Sequence, residues 1–219
     1  MSGEILDITV FTMMTALVAT AVMLVPGVAV AWLLARRDFP GKALVETAVS
    51  LPLVMPPVAT GLILLWAFGR RGPLGALLAR VGIEVVFTPA AVVIAMAVMG
   101  LPLLVRTARG GFEQVTLRYE QIAETLGATP WRVFRTITLP LASRNIVAGA
   151  MLGFSRALGE FGATIVVAGS IPGRTRTLAV GIYTFTETGQ GGQAATLLAV
   201  SVAVSFVAVM LSNRLARVR

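Results

Sequence analysis

Residues 8–34 read ITVFTMMTALVATAVMLVPGVAVAWLL, a run that contains no charged side chain. A helix of roughly 20 apolar residues crosses the hydrocarbon core of a bilayer, so this run predicts a transmembrane helix. Only Pro26 and Gly27 interrupt it. The residues before it include Glu4 and Asp7 but no base, unlike the positive region of a cleavable signal peptide. We therefore expect this span to stay in the mature protein.

Four further apolar runs follow the first. They cover residues 45–68, 90–105, 146–168 and 194–211. The run at 90–105 is the shortest, and Pro89 is suited to begin its helix. Five runs predict an all-α fold, a polytopic bundle of about five transmembrane helices. We expect it to form a single membrane domain over residues 1–219.

The composition agrees with a membrane protein. The chain is 57% hydrophobic and 13% charged, with a mean hydropathy of +0.88. Soluble domains carry about 25% charged residues, so a cytosolic enzyme and a disordered chain are both excluded. The chain has no cysteine and no histidine. Disulfides, Cys/His zinc sites and Ser-His or Cys-His catalysis are therefore excluded as well.

The basic residues predict the orientation in the membrane. Twelve of them lie after the first run, between the third and fourth runs, or in the C-terminal tail: Arg36, Arg37, Lys42, Arg106, Arg109, Arg118, Arg132, Arg135, Arg144, Arg214, Arg217 and Arg219. Five lie in the other connecting segments: Arg70, Arg71, Arg80, Arg174 and Arg176. Since basic residues concentrate on the cytoplasmic side, we expect the N-terminus outside and the C-terminus inside the cell.

The longest cytoplasmic segment, at about residues 106–144, has the pattern of two helices. Residues 113–126 predict the first helix, and Gly127 after it is suited to the left-handed backbone that ends helices. Thr129 and Pro130 have the residue types of an N-cap and a first helical position.

A second short helix is predicted from Trp131 to about Thr138, with Pro140 ending it. Trp131, Phe134 and Ile137 form an apolar stripe along it at helical spacing. This stripe is suited to fill a groove of another protein, with nearby arginines as a charged rim. Packing on the protein's own spans, or in the lipid interface, explains the stripe equally well.

The same segment resembles the EAA motif of the permease subunits of binding-protein-dependent ABC importers. Gln121, Ala123, Gly127, Ile137, Leu139 and Pro140 occupy the motif's positions. Gln121 stands where glutamate is usual, and Glu120 is its immediate neighbour. The resemblance implies that the segment couples the permease to an ATPase. The coupling residues would be Glu120, Gln121, Ala123, Gly127, Ala128, Trp131, Phe134, Ile137, Leu139 and Pro140.

Segments elsewhere in the chain resemble the molybdate permeases of that family. They are RDFPGK at 37–42, LPLVMPP at 51–57, LGEFGA at 158–163 and IPG at 171–173. The sulfate/thiosulfate permeases are close relatives, and tungstate is a similar anion, so each remains an alternative substrate.

The resemblance also implies the partners. Two permease copies would form the pathway, two cytoplasmic ABC ATPase subunits would use ATP and Mg²⁺, and an extracytoplasmic protein would deliver the oxyanion. The chain contains no G-x-x-x-x-G-K-[ST] phosphate loop, so we expect it to bind no cofactor or metal and to be no enzyme itself.

Two groups of residues are candidates for the pathway or a gate. Pro52, Pro56 and Pro57 predict a kink in the second span, either at the pathway or as ordinary packing. Arg156 and Glu160 lie four residues apart in the fourth span, where charge is costly in lipid, and we expect them to pair. Three roles remain open: Arg156 lines the oxyanion route, the pair latches a gate, or the pair is a structural ion pair that ties spans together.

Two segments have less specific patterns. Gly149 and Gly153 form a G-x-x-x-G pair suited to close helix crossing, with a subunit interface as one candidate place. Residues 177–186 predict a short amphipathic helix in the outer segment. Arg174 and Arg176 before it are suited either to acidic groups of a delivery protein or to lipid headgroups.

Functions of other classes remain open on the residues alone. A self-powered secondary transporter is disfavoured by the small number of spans and the lack of an internal repeat. A membrane scaffold that recruits a cytoplasmic enzyme would explain the 106–144 segment but not Arg156 and Glu160.

Overall fold

The computed structural model describes the backbone of residues 2–217 and the side chains of residues 3–210. Eleven α-helices and one π-helical segment account for most of these residues. They are α1 (Ser2–Arg36), α2 (Lys42–Val54), α3 (Pro57–Phe68), α4 (Pro73–Ala79), α5 (Pro89–Gln114), α6 (Leu117–Thr125), α7 (Pro130–Val133), the π segment (Phe134–Thr138), α8 (Leu139–Leu158), α9 (Gly162–Val167), α10 (Leu178–Glu187) and α11 (Gly191–Arg217). The side chains of Arg214, Arg217 and Arg219, which contribute to the predicted orientation, lie outside the described residues.

Within the described residues, four helices are long and apolar enough to cross a membrane. They are α1, α5, the continuous helix Pro130–Leu158 and the Gly191–Met210 part of α11. The pair α2 and α3 passes the same test only when the two are taken together, which brings the number of spans to five at most. The all-α membrane bundle is thus confirmed, and Pro26 lies inside α1 without ending it.

The core forms around α5, which packs against both α1 and α8. Small residues allow these helices to approach closely. A Cβ atom on Gly100 of α5 would lie 2.8 Å from the carbonyl oxygen of Gly153 in α8, and one on Gly149 would lie 3.0 Å from that of Leu104. The G-x-x-x-G pair therefore packs α8 against α5 within the chain, and a subunit interface is the wrong place for it.

The second predicted span is not one kinked helix. Helix α2 ends at Val54, α3 begins at Pro57, and their axes differ in direction by 116°. Proline lacks the N–H that continues a helix and disfavours helical backbone in the residue before it. Pro56 and Pro57 in succession therefore separate the two helices, whereas Pro52 lies inside α2.

The fourth predicted span, residues 146–168, also differs from the structure. A continuous helix runs from Pro130 to Leu158, and α9 follows only after a break at residues 159–161. The prediction that Pro140 ends the second short helix is wrong. Pro140 is the second residue of α8. The π segment before it, in which Leu139 N–H donates to the Phe134 carbonyl, widens the helix where the proline ring would otherwise clash.

The two ends of the bundle carry different polar contacts. At the start of α1, Glu4 accepts a hydrogen bond from Arg176 at 3.1 Å, and the Leu178 N–H donates to Thr12 Oγ1 at 2.9 Å. Thr177 caps α10, which confirms the short helix predicted at 177–186. At the other end of α1, Arg36 contacts the segment that precedes α6.

Candidate functional site

The segment between α5 and α8 is shorter than the predicted 106–144 loop. Helix α5 continues to Gln114, and the first predicted helix, 113–126, is interrupted by extended backbone at Val115 and Thr116. Helices α5 and α8 both extend into the predicted loop because their apolar residues there are buried in the core. Phe112 of α5 and Ala142 of α8 belong to one buried cluster. What projects from the bundle is therefore α6, its turn and α7.

The turn after α6 confirms the local predictions. Gly127 has a φ of +85°, its N–H donates to the Glu124 carbonyl, and the N–H of Ala128 donates to the Ala123 carbonyl at 3.0 Å. This pair of bonds is the Schellman motif, for which glycine is preferred at the left-handed position. Thr129 Oγ1 then accepts from the Arg132 N–H, so the next helix begins with its predicted cap.

Several large apolar side chains of α6 and α7 point away from the bundle. We call this surface the α6–α7 face; its exposed residues are Leu117, Tyr119, Ile122, Leu126 and Trp131. Leu126 is 83% exposed and Trp131 is 65% exposed. Large apolar side chains exposed together in one short segment favour contact with another molecule. The side chain of Gln121 is exposed on the same helix.

The predicted apolar stripe divides into an exposed part and an inward part. The ring of Phe134 packs edge-on against Trp32, 5.6 Å between centroids, and lies 6.4 Å from Phe112. Ile137 and Leu139 are half-buried. Trp131 stacks on Phe134 at 5.7 Å but remains exposed on its outer side. Of the stripe, Trp131 alone is thus well placed as an anchor for a partner.

Glu120 points inward, toward the bundle. Its Oε1 accepts hydrogen bonds from Arg36 Nη2 and from Thr138 Oγ1, both at 2.8 Å. Arg36 also donates to the Val115 carbonyl at 2.8 Å. The side chains of Arg36 and Glu120 are only 9% and 17% exposed. Glu120 therefore holds α6 against the end of α1 and the π segment.

Sequence reasoning missed Arg36 as part of this site. It placed Arg36 only among the basic residues that predict orientation. The one available signal was a charged residue directly at the end of an apolar run, and nothing local pointed to a carboxylate 84 positions away.

The predicted pair of Arg156 and Glu160 is confirmed, with 2.8 Å between Arg156 Nη1 and Glu160 Oε2. Glu160 is 1% exposed, whereas the side chain of Arg156 is 27% exposed. Because α8 ends at Leu158, Arg156 lies in the last turn of α8 and Glu160 lies in the break before α9. Glu160 Oε1 also accepts from the Ala163 N–H at 2.7 Å, which places a negative charge at the N-terminus of α9, where the helix dipole favours it.

The two interrupted helices meet at their breaks. A Cβ atom on Gly162 would lie 2.7 Å from the side chain of Pro57, and one on Gly61 would lie 2.9 Å from the Ala163 backbone. The structure thus brings Pro57 and its neighbour Pro56 close to the segment that holds Glu160. Pro52 lies farther back in α2.

Two buried threonines belong to the helices that cross here and were missed by sequence reasoning. Thr60 of α3 and Thr164 of α9 are 6% and 0% exposed, and neither hydroxyl has a hydrogen-bond partner among the described residues. No pattern in the sequence distinguishes them from the other threonines of the spans.

Membrane helices that are interrupted next to a buried charged pair are typical of transport proteins. Residues 27–218 match the family model described as binding-protein-dependent transport system inner membrane component, and the chain belongs to this family.

Curated relatives extend the comparison over most of the chain. The molybdenum transport system permease protein ModB of Escherichia coli K12 is 48% identical over 88% of this chain and 85% of its own length. The ModB of Haemophilus influenzae is 44% identical over 86% and 83%. A probable sulfate transport system permease protein, cysT of Marchantia polymorpha, is 34% identical over 94% and 71%.

Solved structures share the fold at low sequence identity. A bacterial alginate ABC transporter in complex with its alginate-bound periplasmic protein matches with a TM-score of 0.72 and 16% identity, over 97% of this chain and 78% of the other. The MetNI methionine ABC transporter in an inward-facing form matches with a TM-score of 0.69 and 16% identity, over 99% and 94%. The chain therefore has the fold of ABC importer permeases.

Family membership makes this chain a multi-pass inner-membrane component of an ABC importer. Such an importer also contains an ATPase subunit and a substrate-binding protein.

Proposed function

We propose that this chain is the permease subunit of an importer for molybdate. The observation that carries this proposal is the 48% identity to a ModB protein across 85% of that protein's length. The identity to a probable sulfate permease is lower, at 34%, which makes sulfate the second candidate substrate. Tungstate, an oxyanion of the same shape, remains an alternative cargo of the same pathway.

The α6–α7 face is the surface that contacts the ATPase subunit in this proposal. The exposed apolar side chains of this face, above all Leu126 and Trp131, support the assignment of the face to the ATPase contact. The ATPase subunit would bind ATP and Mg²⁺, and this chain would contribute no catalytic group. Movement of the docked helices would reach the spans as a rigid-body rotation.

Glu120 gives that movement a route into the membrane. Because it is hydrogen-bonded to Arg36 and Thr138, a displacement of α6 acts on both α1 and the helix that contains α8. The motif residues then have different roles. Ala123, Gly127 and Ala128 shape the turn, and Trp131 contacts the partner. Phe134, Ile137, Leu139 and Pro140 join the turn to the span.

The orientation follows the distribution of basic residues. We place the α6–α7 face in the cytoplasm and the N-terminus outside, since Arg36, Arg109 and Arg132 lie at or near that end. The Glu4–Arg176 end then faces the delivery protein. We also propose that two copies of the chain form the pathway, with lipid around them.

The crossing of α3 and α9 is the candidate gate. The Arg156–Glu160 pair holds the break between α8 and α9 in one conformation, and the prolines Pro56 and Pro57 allow α3 to move as a separate unit. A structural or latching role for the pair is favoured over a fixed anion site, because an anion bound tightly in the pathway would be released slowly.

The test is transport by the assembled system. The chain, its ATPase subunit and its binding protein would be reconstituted in proteoliposomes, and uptake of labelled molybdate would be measured with ATP inside. Uptake that excess sulfate does not compete away supports the molybdate proposal. Equal competition by sulfate overturns the choice of substrate, and purification of the chain without any ATPase in several mild detergents contradicts the importer itself.

A further inference from the structure

A long apolar groove runs along the outside of the bundle, and the proposed transport assigns no occupant to it. It lies between α1 and the helix formed by α7, the π segment and α8, and has a volume of about 690 Å³. Val25, Val28 and Trp32 line one wall, and Trp131, Phe134 and Leu139 line the other. Arg37 is the only charged residue among those that line it.

The length of the groove corresponds to one leaflet of a bilayer. Its lining extends from Leu24 in α1 to Arg37, the residue after α1 ends, which is about 20 Å along a helix axis at 1.5 Å per residue. One half of the hydrocarbon core is about 15 Å thick, so the length of the groove matches one leaflet together with part of its headgroup region. Trp32 and Trp131 lie toward the Arg37 end, as tryptophans do at membrane interfaces.

The mouth of the groove is positively charged without compensation. Arg37 is exposed, and its neighbour Asp38 accepts a hydrogen bond from Lys42 at 2.9 Å. That hydrogen bond and the charge of Lys42 lower the pKa of Asp38, so this carboxylate is ionised and already engaged. The Arg135 guanidinium lies 5.8 Å from the centre of the Trp131 ring. Among the side chains described, neither Arg37 nor Arg135 contacts a carboxylate.

We propose that this groove binds one anionic phospholipid, with an acyl chain along α1 and the phosphate at Arg37. The apolar wall matches the chain, and the cationic mouth matches the headgroup. The proposal uses the orientation proposed above, in which this end faces the cytoplasmic leaflet, where anionic lipids produce a negative surface potential. It does not depend on which oxyanion is transported.

A helix of a second copy of the chain matches this groove less well than an anionic lipid. An apolar helix against the groove would bury the charge of Arg37 without a partner, whereas a phosphate would pair with it. The position beside Trp131 and Phe134 means that the bound lipid would contact the segment that joins the α6–α7 face to the membrane.

The test is lipid retention by the purified full-length chain, measured by native mass spectrometry. Phosphatidylglycerol and phosphatidylcholine with the same acyl chains are added in equal amounts. We expect the chain to retain phosphatidylglycerol at least threefold more than phosphatidylcholine. Arg37→Gln should reduce phosphatidylglycerol to the phosphatidylcholine level, and Ala29→Trp, which fills the groove, should reduce both lipids.

Two matched variants control for general effects. Arg80→Gln removes an exposed arginine that lies after α4, and Ala21→Trp adds the same bulk to an exposed α1 position that does not line the groove. Both should retain lipid as the unmodified chain does. Equal retention of the two lipids, or retention unchanged in both groove variants, overturns the proposal. So does an Ala29→Trp variant that loses self-association while its lipid retention is unchanged, because the groove is then an interface between copies.

Discussion

Glu120 of α6 and Arg36 at the end of α1 form a hydrogen-bonded ion pair of 2.8 Å, although 83 residues separate them in the chain. The same carboxylate oxygen accepts from Thr138 in the π segment. The pair is mostly shielded from water, and the Glu120 carboxylate connects α6 both to the end of α1 and to the π segment. We therefore expect a substitution of Glu120 to lower the stability of the bundle and to weaken the proposed coupling to the ATPase.

Glu120→Ala is expected to lower the free energy of unfolding by about 1–3 kcal/mol, because it leaves the Arg36 guanidinium without its partner. Glu124→Ala, at an exposed position of the same helix, is the matched control and should change it little. Thermal unfolding in detergent measures both. If the two variants have the same midpoint, the Glu120 network does not stabilise the structure.

Trp131 and Phe134 should respond differently to truncation. Trp131→Ala is expected to change the unfolding free energy by about 0.5 kcal/mol or less, since the ring is mostly exposed. It should nevertheless abolish co-purification of the ATPase subunit. Phe134→Ala should cost roughly 2 kcal/mol, below the 3–5 kcal/mol of a fully buried phenylalanine. An ATPase subunit that co-purifies normally with Trp131→Ala would rule out this residue as an anchor.

Gly100→Ala tests the close packing of α5 on α8. The added methyl group would meet the Gly153 carbonyl oxygen at 2.8 Å, so we expect a loss of about 1–3 kcal/mol. Gly110→Ala, in the same helix, meets nothing within 4 Å and should stabilise the protein by about 0.5–1 kcal/mol. Thermal unfolding of the two variants should therefore shift in opposite directions, and a common direction would contradict the packing.

The Arg156–Glu160 pair is tested by comparing one change with two. Arg156→Ala leaves the buried Glu160 carboxylate without a cation and should cost about 3 kcal/mol. In the double variant Arg156→Ala with Glu160→Gln, the amide oxygen can still accept from the Ala163 N–H, so at least half of the loss should be recovered. Equal unfolding midpoints for the single and double variants would show that the two side chains do not interact energetically.

The orientation is open to cysteine labelling, because the chain contains no cysteine. Arg71→Cys and Glu124→Cys place a thiol at exposed positions outside the long helices. With a membrane-impermeant maleimide, we expect the first to react in intact cells and the second only after permeabilisation. The reverse pattern would invert the proposed orientation and move the α6–α7 face out of the cytoplasm.

The sequence alone determined the features that depend on composition and on close neighbours in the chain. Its apolar runs determined a membrane bundle with up to five spans, because burial in lipid requires that length and polarity regardless of packing. The turn at Gly127, the cap at Thr129 and the pair of Arg156 with Glu160 were also predictable, since each joins residues within five positions of one another.

The tertiary structure alone decided how distant residues combine. Only helix packing brings Arg36 to Glu120 and Pro57 to Gly162, and no local preference encodes either approach. Packing also decided that Phe134 turns inward while Trp131 stays exposed, although both belong to one apolar stripe. Packing also decided the structure at Pro140, where the local sequence predicts a helix end. In the fold, a π segment and the burial of Ala142 keep the helix continuous through it.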